Sequence, residues 1–187
     1  PISDLSKKDI ESYLKAYLGV KKIIWIKKGV FMDETEGHVD NLCAFARPGE
    51  VVITWTDDQT DPQFEISTQA YEILSRAIDA QGRKLKIHKI HQPGPLFISK
   101  EESFGFDKVD DAKLRKEGDR LAGSYVNFYM ANFGIVMPLF DDPKDLVAMD
   151  AIQKIFPERK IIGVHTREIL LGGGNIHCMT QQQPLSA

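Results

Sequence analysis

A glycine-rich segment near the C-terminal end presents a cysteine in a setting that suits nucleophilic chemistry. Residues 172–174 are three glycines, and Asn175-Ile176-His177-Cys178-Met179-Thr180 and three glutamines follow them. Glycines remove side chains where the backbone must turn sharply or approach another group closely. The apolar run 176–179 predicts a brief strand, so Cys178 is predicted to stand just after an open turn that a substrate can reach. The alternative is a buried structural cysteine behind a glycine turn.

Two further side chains, His38 and Asp40, could complete a nucleophilic site. The run 37–45 predicts a strand, in which residues i and i+2 share a face, so His38 and Asp40 are predicted to point the same way. His177 and Cys178 are neighbours and would point to opposite faces, which favours His38 over His177 as the partner of the thiol. A Cys, a His and an Asp suit attack by a thiolate. The alternatives are ordinary surface or core residues, or a metal site, for which a fourth ligand is lacking.

The composition limits the class of protein. The chain has 187 residues, of which 42% are hydrophobic and 27% charged, as in an ordinary soluble globular domain. A formal net charge of −3 argues against a nucleic-acid-binding surface, which is normally basic. No apolar run reaches the roughly 18 residues of a membrane span, and no signal peptide is recognised. Cys43 and Cys178 form neither a disulfide framework nor a metal-binding spacing, so a cytoplasmic location is expected.

Strands and helices alternate along the chain and must position these residues. Apolar periodicity predicts helices over 6–18, 62–80 and 143–156. The strand signals are shorter apolar runs bounded by turns, at 22–26, 37–45, 51–56, 85–90, 124–131, 135–139 and 160–164. The polar stretch 99–118 between them is predicted to be a mobile insertion or lid.

Two stretches of the chain look like copies of one unit. Each runs strand, hairpin, strand, helix, strand, with Asn41 matching Asn127. Repeats of this length suggest blades packed around an axis, since one unit alone cannot cover its apolar face. Equivalent strand starts would then converge on one centre. That arrangement would bring His38 and Asp40 close to Cys178, although 138 residues separate Asp40 from the cysteine.

Three motifs resemble those of agmatine deiminase: Gly37-His38-Val39-Asp40-Asn41, Gly123-Ser124-Tyr125-Val126-Asn127-Phe128, and the segment 172–184. The resemblance covers nearly the whole chain. It implies the guanidine-modifying (pentein) superfamily, with an α/β-propeller of repeated strand-strand-helix-strand blades. Residues 1–187 would hold about two blades plus a strand of a third, as the C-terminal part of a single catalytic domain. Glu36 departs from the Asn or Asp expected before Gly37.

The resemblance also implies a reaction. Cys178 would be the nucleophile, His38 the acid/base and Asp40 a guanidinium-binding carboxylate. Agmatine would be hydrolysed to N-carbamoylputrescine and ammonia through a covalent amidino-cysteine, in putrescine and hence polyamine biosynthesis, without a cofactor or metal. A second guanidinium-binding Asp and a Glu that orients His38 are expected in missing N-terminal blades, and assembly into a homo-oligomer is left open.

Two other interpretations remain at this point. Arginine deiminase and amidinotransferase share the chemistry, but a substrate with an α-carboxylate calls for an arginine clamp, for which Arg115, Arg120 and Arg167 are the candidates. The other interpretation is a non-catalytic protein that keeps the fold for binding or assembly.

Overall fold

The computed structural model describes residues 5–33, 37–105 and 115–183, which form an α/β fold. Helix α1 (Lys7–Leu18) begins after the N-cap Ser6, as predicted. The Ser6 hydroxyl accepts a hydrogen bond from the backbone N–H of Asp9, and the Asp9 carboxylate accepts one from the backbone N–H of Ser6. This capping box satisfies two amide donors that lack partners within the helix. Gly19, in the left-handed conformation, ends the helix.

A three-stranded sheet and a crossover helix form the first repeat unit. Strands β1 (Cys43–Arg47) and β2 (Glu50–Trp55) make an antiparallel hairpin. Helix α2 (Gln63–Arg76) then leads to β3 (Lys86–His91), which lies parallel to β2. Helix α2 ends four residues before its predicted end, because the chain becomes extended at Ala77 and Ile78 pairs with Lys84 instead.

The second repeat unit has the same order of elements. Between the units lie β4 (Leu96–Phe97), α3 (Lys100–Ser103) and β5 (Arg120–Leu121), which are small elements within and beside the predicted lid. The second sheet then consists of β6 (Tyr129–Met130), β7 (Gly134–Leu139) and β8 (Lys160–His165). Helix α4 (Asp145–Ile155) connects β7 to the parallel β8, and α5 (Arg167–Leu171) follows. The predicted repeat of strand, strand, helix, strand is therefore confirmed.

Strand β2 is buried on both faces, which explains how the two units pack. Val51 and Ile53 point towards Ala70 and Leu74 of α2, whereas Val52 points the opposite way into the larger core of the second unit. Alternate residues of a strand face opposite sides, so a strand covered on both sides is a nearly continuous apolar run, as 51–55 is apart from Thr54. The second unit thus covers the face of the first sheet that α2 leaves open.

Four of the predicted strands are wrong in whole or in part. Residues 22–26 are not a strand, because no described segment supplies a partner for their backbone, although Ile24 and Ile26 still pack on the core. Residues 37–42 contain a 3₁₀ helix (Val39–Asn41), and the strand begins only at Cys43. Residues 124–128 and 176–179 form turns. In the described part of the chain, no helix is long and apolar enough to cross a membrane.

Candidate active site

Three turns of the chain meet at the cysteine. The 3₁₀ helix Val39–Asn41 precedes β1, the turn 124–127 precedes β6, and the turn 172–179 follows α5. The first two occupy the same place in the two repeat units, immediately before the first strand of each sheet. The structure therefore brings together residues that are far apart in the sequence, as the repeat predicted.

The Asp40 carboxylate links the first and third of these turns. Its Oδ2 lies 3.2 Å from the Cys178 Sγ, which donates to it, and 2.8 Å from Nδ1 of His177. The other oxygen, Oδ1, is buried and has no hydrogen-bond partner in the ranges 5–33, 37–105 and 115–183. One oxygen of this carboxylate is thus used within the protein, and the other is a buried acceptor that no donor in those ranges satisfies.

The two histidines are placed differently from the prediction. Neither segment is a strand, so strand alternation does not set the directions of the side chains of His38 and His177. His177 contacts the carboxylate that contacts the thiol. His38 is exposed at the start of the 3₁₀ helix, and its side chain makes no hydrogen bond within the described residues. Its role as the acid/base stays a prediction.

Asn41, Asn127 and Cys178 occupy equivalent positions, a relation that the sequence indicated only for the two asparagines. Each lies four residues after a glycine, namely Gly37, Gly123 and Gly174. The Nδ2 atom of Asn127 donates to Oδ1 of Asn41 at 2.9 Å and to Sγ of Cys178 at 3.2 Å. The cysteine thus stands in the third turn where the first two carry an asparagine. The spacing of glycine to asparagine or cysteine was the sequence signal that could have revealed this.

The surroundings of Cys178 keep its sulfur protonated in the free protein. Partial burial raises the pKa of the Cys178 thiol, and the Asp40 carboxylate, which accepts the S–H, acts in the same direction. Hydrogen bonds from the backbone of Asn175 and the side chain of Asn127 act against this rise. A cation bound to Asp40 would remove part of the opposition to the thiolate, since it would neutralise the adjacent negative charge.

Two of the glycines before the cysteine are required, each for a different structural reason. Gly173 has a φ of 91°, in the region that side chains with a Cβ rarely adopt. A Cβ on Gly174 would lie 2.9 Å from Cβ and 3.1 Å from Sγ of Cys178. The backbone must therefore be bare at residue 174 so that the thiol can lie against it.

We expect Gly174→Ala to displace the thiol and to slow its alkylation by iodoacetamide, with a loss of stability of about 1–3 kcal/mol from overpacking. The measurement is the rate of modification at Cys178, followed by mass spectrometry, together with the thermal midpoint. Gly82→Ala is the control for the stability change, since Gly82 lies in a surface turn with positive φ and a Cβ added there would meet no atom within 4 Å. Equal alkylation of the Gly174→Ala and unmodified proteins would contradict this account of the turn.

A cavity of about 450 Å³ opens beside Asp40 and His177. Its walls are mainly apolar, and include Ile24, Ile26, Phe45, Leu74, Phe128 and Met130. A mostly apolar cavity with a few convergent polar groups is typical of a small-molecule site. A second open cavity, of about 410 Å³, reaches Cys178 from the side of the glycine turn.

The second cysteine, Cys43, has a different environment. It is the first residue of β1, not a mid-strand residue as predicted, and its side chain also borders the larger cavity. Burial raises the pKa of the Cys43 thiol to about 11, so almost none of it is thiolate at neutral pH. Both cysteines are free, and no group of three or more His, Cys, Asp or Glu side chains suited to a metal occurs in the described ranges.

Comparisons with known proteins point to deiminases. The family described as Porphyromonas-type peptidyl-arginine deiminase matches residues 3–184. A Latilactobacillus sakei protein, provisionally named agmatine deiminase, is 59% identical over 180 residues, which are 96% of this chain and 49% of that protein. The chain spans about half the length of the relatives it matches.

Two solved structures of agmatine deiminases are also similar to this chain. The agmatine deiminase of Enterococcus faecalis, described as catalysing its reaction, is 42% identical with a TM-score of 0.91, over 97% of this chain and 50% of that one. A cysteine-to-serine form of C. jejuni agmatine deiminase with substrate bound is 26% identical with a TM-score of 0.75. That match covers 94% of this chain and 46% of the C. jejuni chain.

Proposed function

Because the chain belongs to the Porphyromonas-type peptidyl-arginine deiminase family, we propose that it carries the nucleophile of an agmatine deiminase. The reaction is the hydrolysis of agmatine to N-carbamoylputrescine and ammonia. One observation carries the proposal. The Asp40 carboxylate uses Oδ2 for the Cys178 thiol and His177, and keeps Oδ1 buried without a partner in the described residues.

A guanidinium group suits Asp40, which borders the larger cavity and has an unused acceptor. It is planar and permanently charged, and its N–H donors can engage a carboxylate at two points. Its positive charge would also offset the effect of Asp40 on the Cys178 sulfur. Binding at Asp40 therefore places the guanidinium carbon close to the sulfur and favours the thiolate in the same step.

The proposed reaction proceeds by addition and elimination in two stages. His38 takes the proton of the Cys178 thiol, and the thiolate forms a C–S bond to the guanidinium carbon. One C–N bond of the tetrahedral adduct then breaks, and His38 returns the proton to the departing nitrogen. Ammonia is released, and an amidino-cysteine remains. Water, deprotonated by His38, then attacks the same carbon. The C–S bond then breaks, and the hydroxyl proton of this adduct passes to the departing sulfur, which releases N-carbamoylputrescine and restores the Cys178 thiol. His38 gives its extra proton to solvent.

Two arginines bear on the choice between agmatine and arginine. Arg120 donates both terminal nitrogens to Asp61, at 3.0 and 2.7 Å. Arg167 donates to both carboxylate oxygens of Glu102 and holds the pKa of Glu102 down to about 2. These guanidinium groups are committed to internal ion pairs, so neither is a good clamp for the α-carboxylate of arginine. Two of the three candidate arginines are therefore already paired, which favours a substrate without that carboxylate.

The architecture that we propose for the complete catalytic domain is the pentein α/β-propeller, with two blades given by the two repeat units. The remaining blades, a second guanidinium-binding Asp and a Glu that orients His38 are proposed to lie in polypeptide outside residues 1–187, in line with the half coverage of the relatives. Glu36, which departs from the residue expected before Gly37, lies outside the described residues. Putrescine biosynthesis, the absence of a cofactor and a cytoplasmic location stay predictions.

The test is an assay of the purified protein with agmatine and with arginine, at low and high salt, with ammonia and N-carbamoylputrescine measured. A second arm adds the N-terminal half of the Enterococcus relative. We expect turnover of agmatine and poor turnover of arginine, with full activity only when the additional half is present. Efficient conversion of arginine, with agmatine left unchanged, would contradict the proposal.

The two histidines give a sharper prediction. If His38 moves the protons, His38→Gln should reduce kcat by about 10²- to 10⁴-fold, the usual contribution of a general acid/base. His177→Gln should reduce kcat by less, because the His177 ring is hydrogen-bonded to Asp40 and has no proton transfer in the proposed reaction. The measurement is kcat as a function of pH for both variants. A larger loss for His177→Gln would transfer the acid/base role to His177.

A further inference from the structure

We propose that Asn127 is a positioning residue for the Cys178 thiolate, since its side-chain amide holds the cysteine-bearing turn and donates to the sulfur. Its Oδ1 accepts a hydrogen bond from the backbone N–H of His177 at 2.8 Å. Its Nδ2 lies 3.2 Å from Sγ of Cys178 and 2.9 Å from Oδ1 of Asn41. The inference rests on the proposed role of Cys178 as the nucleophile, but not on which guanidine compound is the substrate.

The orientation of the Asn127 amide follows from its partners. A backbone N–H is a donor only, so the atom of Asn127 that faces His177 must be the oxygen. The nitrogen therefore faces Asn41 and Cys178, and its two protons match two acceptors. The amide cannot rotate by half a turn without losing its bond to His177 and presenting an acceptor to the Asn41 oxygen. The sulfur thus always meets an N–H donor at this position.

A buried hydrogen-bond network keeps Asn127 in place. Asn127 is fully buried, with 0% of its surface exposed. In the same turn, the Ser124 hydroxyl accepts from the backbone N–H of Val126 at 3.1 Å and lies 2.8 Å from the Thr54 hydroxyl. Thr54 also donates to the backbone carbonyl of Asn41 at 2.7 Å. The turns of both repeat units are thereby tied to β2, so the donor is fixed before any ligand binds.

The role of this donor is to oppose the groups that keep the sulfur protonated. Asp40 sits on the other side of Sγ and accepts the S–H. A hydrogen bond from an amide stabilises a thiolate more than a thiol, because the acceptor carries a full charge. Asn127 and Asp40 therefore act in opposite directions on one atom. Asn127 also sets where the sulfur lies, since it accepts a hydrogen bond from the backbone N–H of His177, the residue before the cysteine.

The experiment is the rate of iodoacetamide alkylation of the purified protein without substrate, from neutral to alkaline pH, with the modified residue identified by mass spectrometry. We expect Asn127→Ala to slow alkylation of Cys178 at neutral pH by roughly tenfold, the worth of one hydrogen bond to a charged acceptor, and to move the pH profile upward. Asn127→Asp keeps the shape and the acceptor for His177, but turns an acceptor towards the sulfur. It should slow alkylation further.

The control is Tyr125→Phe, which removes a buried hydroxyl from the same turn. That hydroxyl donates to the Asp145 carboxylate at 2.7 Å and takes no part in the network that holds Asn127. This variant should lower the thermal midpoint without moving the alkylation profile. An unchanged profile in both Asn127 variants, or an equal shift in Tyr125→Phe, would overturn the proposal. If Asn127→Ala does not fold, the test is the ultraviolet absorbance of the thiolate in Asn127→Asp, which should appear at higher pH than in the unmodified protein. Because this experiment contains no agmatine, its outcome does not depend on whether agmatine is the substrate.

Discussion

Replacement of Cys178 by serine is expected to reduce the hydrolysis of agmatine by roughly 10⁴-fold or more, which is the scale for loss of a catalytic nucleophile. A serine hydroxyl keeps the approximate size of the side chain, but it is a far weaker nucleophile than the thiolate that the proposed reaction uses. Substrate binding should persist, because Asp40 is intact. The measurements are kcat and KM for agmatine, with the fold monitored by circular dichroism.

The matched control is Cys43→Ala, and the matched reagent is a haloacetamidine, which carries the planar cation of the substrate. Cys43→Ala should retain turnover, because burial raises the pKa of Cys43 to about 11 and makes that thiol inert. The reagent should label Cys178 and stop turnover. Loss of activity with labelling confined to Cys43 would contradict the assignment of the nucleophile.

Replacement of Asp40 by asparagine is expected to have opposite effects on two measurements. Turnover of agmatine should fall by roughly 10²-fold or more, since breaking a buried pair between a carboxylate and a guanidinium costs about 3–5 kcal/mol. Alkylation of Cys178 by neutral iodoacetamide should become faster at neutral pH. Burial is the largest cause of the raised pKa of this thiol, and the Asp40 carboxylate raises it further. Removing the carboxylate charge must therefore lower that pKa and increase the thiolate fraction.

Asp57→Asn is a suitable control for this pair of effects. Asp57 also contacts a histidine, with 2.8 Å between its Oδ2 and Nε2 of His91, but it lies on an exposed loop and makes no hydrogen bond to the cysteine. This variant should leave both rates unchanged. Slower alkylation of Cys178 in Asp40→Asn would mean that the carboxylate activates the thiol instead of restraining it.

The sequence by itself determined the repeated unit and most of its elements. Local signals were sufficient there: Ser6 and Gly19 mark the ends of α1, the Gly49 turn separates β1 from β2, and apolar runs mark β3, β7 and β8. Such signals depend on residues close together in the chain, where capping, turn geometry and alternation act. The convergence of Asp40 and Cys178 could also be predicted, because equivalent positions of a repeat meet near a common centre.

Only the tertiary structure decided which groups touch the thiol. The segments around His38 and Cys178 form short turns. The backbone N–H of Leu42 donates to the Val39 carbonyl and that of His177 to Asn127, instead of to a sheet, so strand alternation did not apply. The sequence favoured His38 beside the cysteine, but the structure places His177 and Cys178 on one oxygen of Asp40. Asn127, which the sequence marked only as a repeat position, gained its contact with the sulfur from packing across 51 residues. Side-chain direction in a turn is set by long-range contacts, which residue spacing does not contain.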